Sequence, residues 1–105
     1  MPRQGASRPA YPLKDVKRLA MESRVLFVDR NDGKATPANI GLTKELACSV
    51  IARLRPAEYD ITPPIPSGYD RPVDVYKTTF RMKTLYIKLQ ITETGELLVV
   101  VSFHF

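Results

Sequence analysis

LYIKLQITETGELLVVVSFHF, residues 85–105, is the stretch that decides the fold. From Leu85 to Ile91 every odd position is aliphatic and every even one polar or amphipathic, the period-two signature of a half-buried strand. A second strand is expected from Leu97 to Phe105, with Leu97, Val99, Val101 and Phe103 on one face and Leu98, Val100, Ser102 and His104 on the other. Glu93-Thr94-Gly95 between them reads as a short hairpin loop, with glycine where the backbone must turn left-handed. Pairing Thr92 with Glu96 then sets Ile91 against Leu97, Leu89 against Val99, Ile87 against Val101 and Leu85 against Phe103. A slip of one residue would turn a polar set inward, so the hydrophobic pattern favours this register. The opposite face is polar and carries Tyr86, Lys88, Ser102 and His104.

Working outward, Val73 to Thr79 is expected as the preceding strand, joined through a tight loop at Phe80-Arg81-Met82. Pairing Thr79 with Lys83 places Val75 against Ile87 on the core side. On the polar side it places Tyr76 against Tyr86 and Asp74 against Lys88. No glycine pins this second turn.

Towards the N-terminus, Met1 to Ala10 holds prolines and a glycine without apolar periodicity and is expected to be a flexible basic tail, leaving residues 11–105 as the folded domain. Tyr11-Pro12 opens a helix with Leu13, Val16, Leu19 and Ala20 as its buried stripe and Lys14, Lys17 and Arg18 in solvent. Arg24 to Asp29 reads as a short strand ended by an Asn31-Asp32-Gly33 turn. Thr36-Pro37 starts a helical turn that Gly41 stops. Thr43 caps the main helix, whose core face is expected to be Leu46, Ala47, Val50, Ile51 and Leu54, with Cys48 on its flank. A brief strand fits Glu58 to Thr62, and the prolines of Pro63-Pro64-Ile65-Pro66 impose an irregular loop. The order predicts an α+β fold, one antiparallel sheet with helices packed on one face.

Composition narrows the function classes. A chain of 105 residues with 44% hydrophobic content supports one globular core. No apolar run approaches the ~20 residues of a membrane span, and the start of the chain lacks a signal-peptide core, so no membrane role and a cytoplasmic address are expected. One cysteine and one histidine argue against a disulfide framework and a zinc site, and no metal or other cofactor is expected. Sixteen Lys and Arg against 11 Asp and Glu give a formal charge of +5, a modest bias that favours encounter with RNA or an acidic protein.

Antiparallel sheets ordinarily keep one wet polar face, and Tyr, Lys and Thr are what strands place there. An open face with aromatics and a cation can also stack bases and hold phosphate. His104, the only histidine, shares that face with Tyr86. Cleaving RNA without a metal takes a base for the 2′-hydroxyl, a cation for the phosphate and an acid for the leaving oxygen. Tyr86, His104 and Lys88 are the candidate catalytic residues; Arg81, Lys83, Tyr76 and Lys77 are the candidate RNA-binding residues.

Residues 11–105 resemble the MqsR family of bacterial toxins, on Leu13 to Leu19, Gly41-Leu42, Asp74-Val75-Tyr76 and, above all, Leu85-Tyr86-Ile87-Lys88-Leu89 followed by Val99-Val100-Val101-Ser102-Phe103. The resemblance implies a RelE-like fold and a metal-independent mRNA interferase neutralised by an MqsA-like antitoxin, with mRNA as substrate. It assigns Tyr86 to the family's functional tyrosine. Three positions depart from the family pattern: Val73 stands for a glutamine, His104 for a lysine, and Glu58-Tyr59-Asp60-Ile61 lacks a further lysine.

Overall fold

The computed structural model describes residues 8–28 and 36–105. Along the chain come α1 (Leu13–Met21), β1 (Val25–Phe27), a 3₁₀ turn (Pro37–Ile40), α2 (Lys44–Ala52) and a second 3₁₀ turn (Pro56–Glu58). Then follow β2 (Tyr59–Ile61), β3 (Asp74–Phe80), β4 (Lys83–Ile91) and β5 (Leu98–His104). The strands form one sheet in the order β1-β5-β4-β3-β2. Every pairing is antiparallel except that of β1 with β5. This is the expected α+β architecture. The turn foreseen at Asn31-Asp32-Gly33 lies outside the described residues, as do residues 1–7 of the expected tail.

The helices form where the sequence caps them. Thr43 Oγ1 accepts the Leu46 N–H at 3.2 Å and starts α2, and Gly41 ends the preceding turn at φ 76°. Val16, Leu19 and Ala20 of α1 are buried as the stripe requires. The α2 face differs from expectation. Ala47, Cys48 and Ile51 are buried, whereas Leu46 is 50% exposed and Val50 only partly covered. The sequence offers two adjoining apolar stripes on this helix. Packing against α1 takes the one with small residues, where Ala20 and Cys48 border the same crevice. Burial pushes the Cys48 thiol above its ordinary pKa, which makes it an inert core group.

Both hairpins also depart from the expected registers. At the β3–β4 turn Arg81 and Met82 take φ of 52° and 65°, a two-residue connection of the kind that matches strand twist. Phe80 therefore pairs with Lys83, Tyr76 with Ile87 and Lys77 with Tyr86. The one-residue slip inverts β3: Tyr76 and Asp74, expected on the polar side, are fully buried. Non-glycine residues in the left-handed region carry no sequence signal, so the sequence alone predicts a turn one residue longer than the one that forms.

In the β4–β5 hairpin the Thr92 hydroxyl accepts the Leu97 N–H at 3.2 Å, and Thr92 N–H donates to the Leu97 carbonyl at 3.0 Å. The loop thus closes on Leu97 rather than Glu96. Ile91 faces Leu98 and Leu89 faces Val100. A register shift past Leu89 then sets Lys88 against Ser102, Ile87 against Phe103 and Tyr86 against His104, leaving Val101 as the extra residue of a bulge. Leu98, Val100 and Phe103 join Ile87 and Leu89 in the core; Val99, expected there, is only partly covered, and Val101 is buried as expected but outside that cluster. The bulge restores the original alternation before His104.

Asp74 anchors the chain before α1. Its buried carboxylate accepts the N–H groups of Ala10 at 2.8 Å and Tyr11 at 3.0 Å, and the Thr62 hydroxyl. The Tyr59 hydroxyl lies 2.7 Å from that of Thr62. Three donors on one buried carboxylate meet the usual condition for placing a charge inside a protein. Residues 8–10, assigned to the tail on composition, are thus held against the sheet. No described helix is long and apolar enough to cross a membrane.

Candidate functional site

On the face away from the helices, four neighbouring strands each contribute one side chain to a single row. Asp60 of β2 lies 3.6 Å from the Lys77 ammonium of β3. That ammonium stands 5.5 Å from the centre of the Tyr86 ring on β4, within cation–π range. Tyr86 in turn lies beside the His104 ring of β5, with centroids 5.9 Å apart and planes at 28°. Lys88, two residues along β4, is exposed on the same face opposite Ser102.

The row is a product of register. Lys77 meets Tyr86 because they are direct cross-strand partners, and Tyr86 meets His104 for the same reason. Without the Val101 bulge, His104 would face one position further along β4. His104 Nδ1 lies 2.9 Å from the main-chain oxygen of Phe105. That oxygen can only accept, so a proton on Nδ1 completes this hydrogen bond, and in the tautomer that carries it there Nε2 has its lone pair free. The row therefore holds a group able to take a proton, one able to give it, and two ammonium groups nearby.

Not every candidate belongs to it. Tyr76 is a correction: it is fully buried, its ring packs edge-on to Tyr59 with centroids 5.6 Å apart, and it contacts no open face. Burial, with the Asp74 charge and Tyr59 adding to it, pushes the Tyr76 phenol up to about 12. Lys83 alternates with Leu85 towards the helix side, and its ammonium sits 5.2 Å over the Phe105 ring. Arg81 occupies the β3–β4 turn with its guanidinium 5.0 Å from the Phe80 ring. Of the residues named for RNA contact, Lys77 alone joins Tyr86, Lys88 and His104. Asp60 was missed. Alternation within Tyr59-Asp60-Ile61 is the available signal, since a Tyr59 packed against the core turns Asp60 to the other face.

Among the described residues no three His, Cys, Asp or Glu side chains gather as a metal cluster. A family profile described as motility quorum-sensing regulator, toxin of MqsA, matches residues 8–105. The chain belongs to the MqsR toxin family. No curated protein matches it. The match begins at Arg8, whose carbonyl lies 3.3 Å from the Thr62 hydroxyl at the anchor on Asp74. Membership makes this MqsR-family chain the toxin of a toxin–antitoxin pair.

Proposed function

We propose that this toxin is an endoribonuclease that cuts mRNA in the cytoplasm by metal-independent proton transfer across the Tyr86–His104 pair. The observation that carries the reading is that pair itself, directly opposed on β4 and β5 with Lys77 over the same tyrosine ring. In the proposed reaction His104 Nε2 takes the proton of a ribose 2′-hydroxyl. The 2′-oxygen bonds to the adjacent phosphorus while the bond from phosphorus to the 5′-oxygen breaks. Tyr86 gives its proton to that leaving oxygen. The products are a 2′,3′-cyclic phosphate and a 5′-hydroxyl end. Lys77 and Lys88 offset the charge that gathers on the phosphate, and the aromatic pair offers a surface for a splayed base.

The test is cleavage of an mRNA transcript by the purified protein, in chelator and in magnesium, with the product ends identified. Cleavage in both, ending in cyclic phosphate, is the expected result. His104→Ala should lower the rate on the order of 10²-fold or more, as loss of a general acid or base does, while leaving the thermal melt in place. His104→Lys should retain activity if charge is what this position supplies, and lose it if proton uptake is. Unchanged cleavage in both His104→Ala and Tyr86→Phe would take the row out of the mechanism. RNA binding without cleavage by the parent would leave a non-catalytic binding module in its place.

A further inference from the structure

Asp60 reaches the open face through an irregularity in β2. Tyr59 pairs with Tyr76 and Ile61 with Val75, so two steps along β2 match one along β3, and Asp60 is the extra residue of a bulge. The residue before it is fixed: the Tyr59 ring packs edge-on to Tyr76, and its hydroxyl lies 2.7 Å from that of Thr62. The Asp60 carboxylate stands 3.6 Å from the Lys77 ammonium, and the centre of the Tyr86 ring lies 5.5 Å from the same ammonium. Lys77 is therefore held towards β2 by a charge and towards β4 by an aromatic ring. Asp60 is the better covered partner, 20% exposed against 47% for Lys77, so the carboxylate is the fixed member and the lysine the one it holds. Lys88, the other cation of this face, has no carboxylate partner among the described residues.

A carboxylate in a row that meets RNA repels the phosphate backbone, so for binding alone Asp60 is unfavourable. An ion pair this exposed also adds little to folding. Its effect on Lys77 is of another kind. A free lysine side chain samples many rotamers, and ordering it at the transition state takes free energy from the chemical step. An ammonium already held beside the proton donor needs no such ordering.

We propose that Asp60 is a positioning residue: it keeps the Lys77 ammonium at the Tyr86 ring, in place before the phosphate arrives, a role that rests on the reading of this row as the site of RNA cleavage. Lys88 is left to meet the backbone phosphates as RNA binds.

Steady-state cleavage of an RNA oligomer by the parent, Asp60→Asn and Asp60→Glu tests it, with thermal melts to confirm that the variants fold. Asp60→Asn should lower kcat about tenfold while KM stays level or falls, because the same change removes a repulsive charge. Asp60→Glu, which restores the carboxylate, should recover most of the loss. In a Lys77→Gln background Asp60→Asn should change kcat by less than about twofold, since the residue it acts through is gone. Parent-like kcat with a lower KM in Asp60→Asn overturns the proposal, as does an undiminished loss of kcat in the Lys77→Gln background. Proton NMR reads the hold itself. The Tyr86 ring current should move the Lys77 Hε resonances upfield in the parent, and Asp60→Asn should lose that shift, as Tyr86→Leu does. If the parent cuts no RNA while Asp60→Asn still loses the shift, the hold on Lys77 is upheld and the cleavage reading alone falls. A shift unchanged in Asp60→Asn overturns the hold, whatever the protein does to RNA.

Discussion

The β3–β4 and β4–β5 hairpins share a strand, and both slip by one residue from the register that alternation favours, yet only one slip changes the chemistry of the open face. In β3–β4 the slip persists through the ladder, so every side chain of β3 changes sides: Tyr76 enters the core and Lys77 comes beside Tyr86. In β4–β5 the slip is completed by the bulge at Val101, and His104 returns to the face that alternation gave it. A hairpin with a bulge can thus misplace its middle and still present its end correctly. One without a bulge misplaces everything.

The sharpest way to break this comparison is to put a charge on each side of the bulge. Val100→Asp buries an unpaired carboxylate in the core cluster and should cost several kcal/mol, about 4 or more, or abolish folding. Val101→Asp, at a residue that is also buried but lies outside that cluster, should be destabilising too, though less so. Chemical denaturation of both variants decides it, and the reverse ranking would restore the register read from alternation.

Next in size is the consequence of burying Asp74. Asp74→Ala leaves the Ala10 and Tyr11 N–H groups and the Thr62 hydroxyl without their acceptor, for about 2–4 kcal/mol. A loss under about 0.5 kcal/mol, the range of an ordinary surface site, would mean that the carboxylate is not buried as β3 places it.

These two effects mark what was legible in the chain. Alternation in Leu85 to Ile91 identified the central strand and its inward side, because both depend only on local period. Thr43 and Gly41 announced the start and stop around α2 through their capping chemistry. Tyr86, Lys88 and His104 were recognisable as one face, and their common face survives in the structure. Illegible were the features set by partners distant in sequence. Which stripe of α2 faces inward depends on α1, and whether Tyr76 or Lys77 meets the open face depends on two turn residues that no glycine announces. Asp60 belongs to a short edge strand whose alternation gains meaning only beside β3.

A smaller effect follows at the β3–β4 turn itself. Arg81→Asn with Met82→Gly gives the left-handed pair the residues it prefers and should stabilise the fold by about 1 kcal/mol. Were the connection the three-residue loop first expected, the change would stabilise nothing, and a lowered melting temperature would argue for it.

The smallest effect concerns pH and again sets β3 against its surroundings. Glu58 is held below its ordinary pKa in the folded protein, with the Thr78 hydroxyl donating to it from β3 and Arg55 from the preceding turn. A carboxyl whose folded pKa is depressed binds its proton more readily in the unfolded chain. Its stabilisation is therefore fully present above the unfolded value, about 4.3, and is lost as pH falls through the lower folded one. Melting temperatures of the parent and Glu58→Gln, followed from about pH 6 to about pH 3, should differ most at the upper end and converge at the lower. Parallel curves across that range would mean that Thr78 does not hold this carboxylate, and so that the inward side of β3 ends before Thr78.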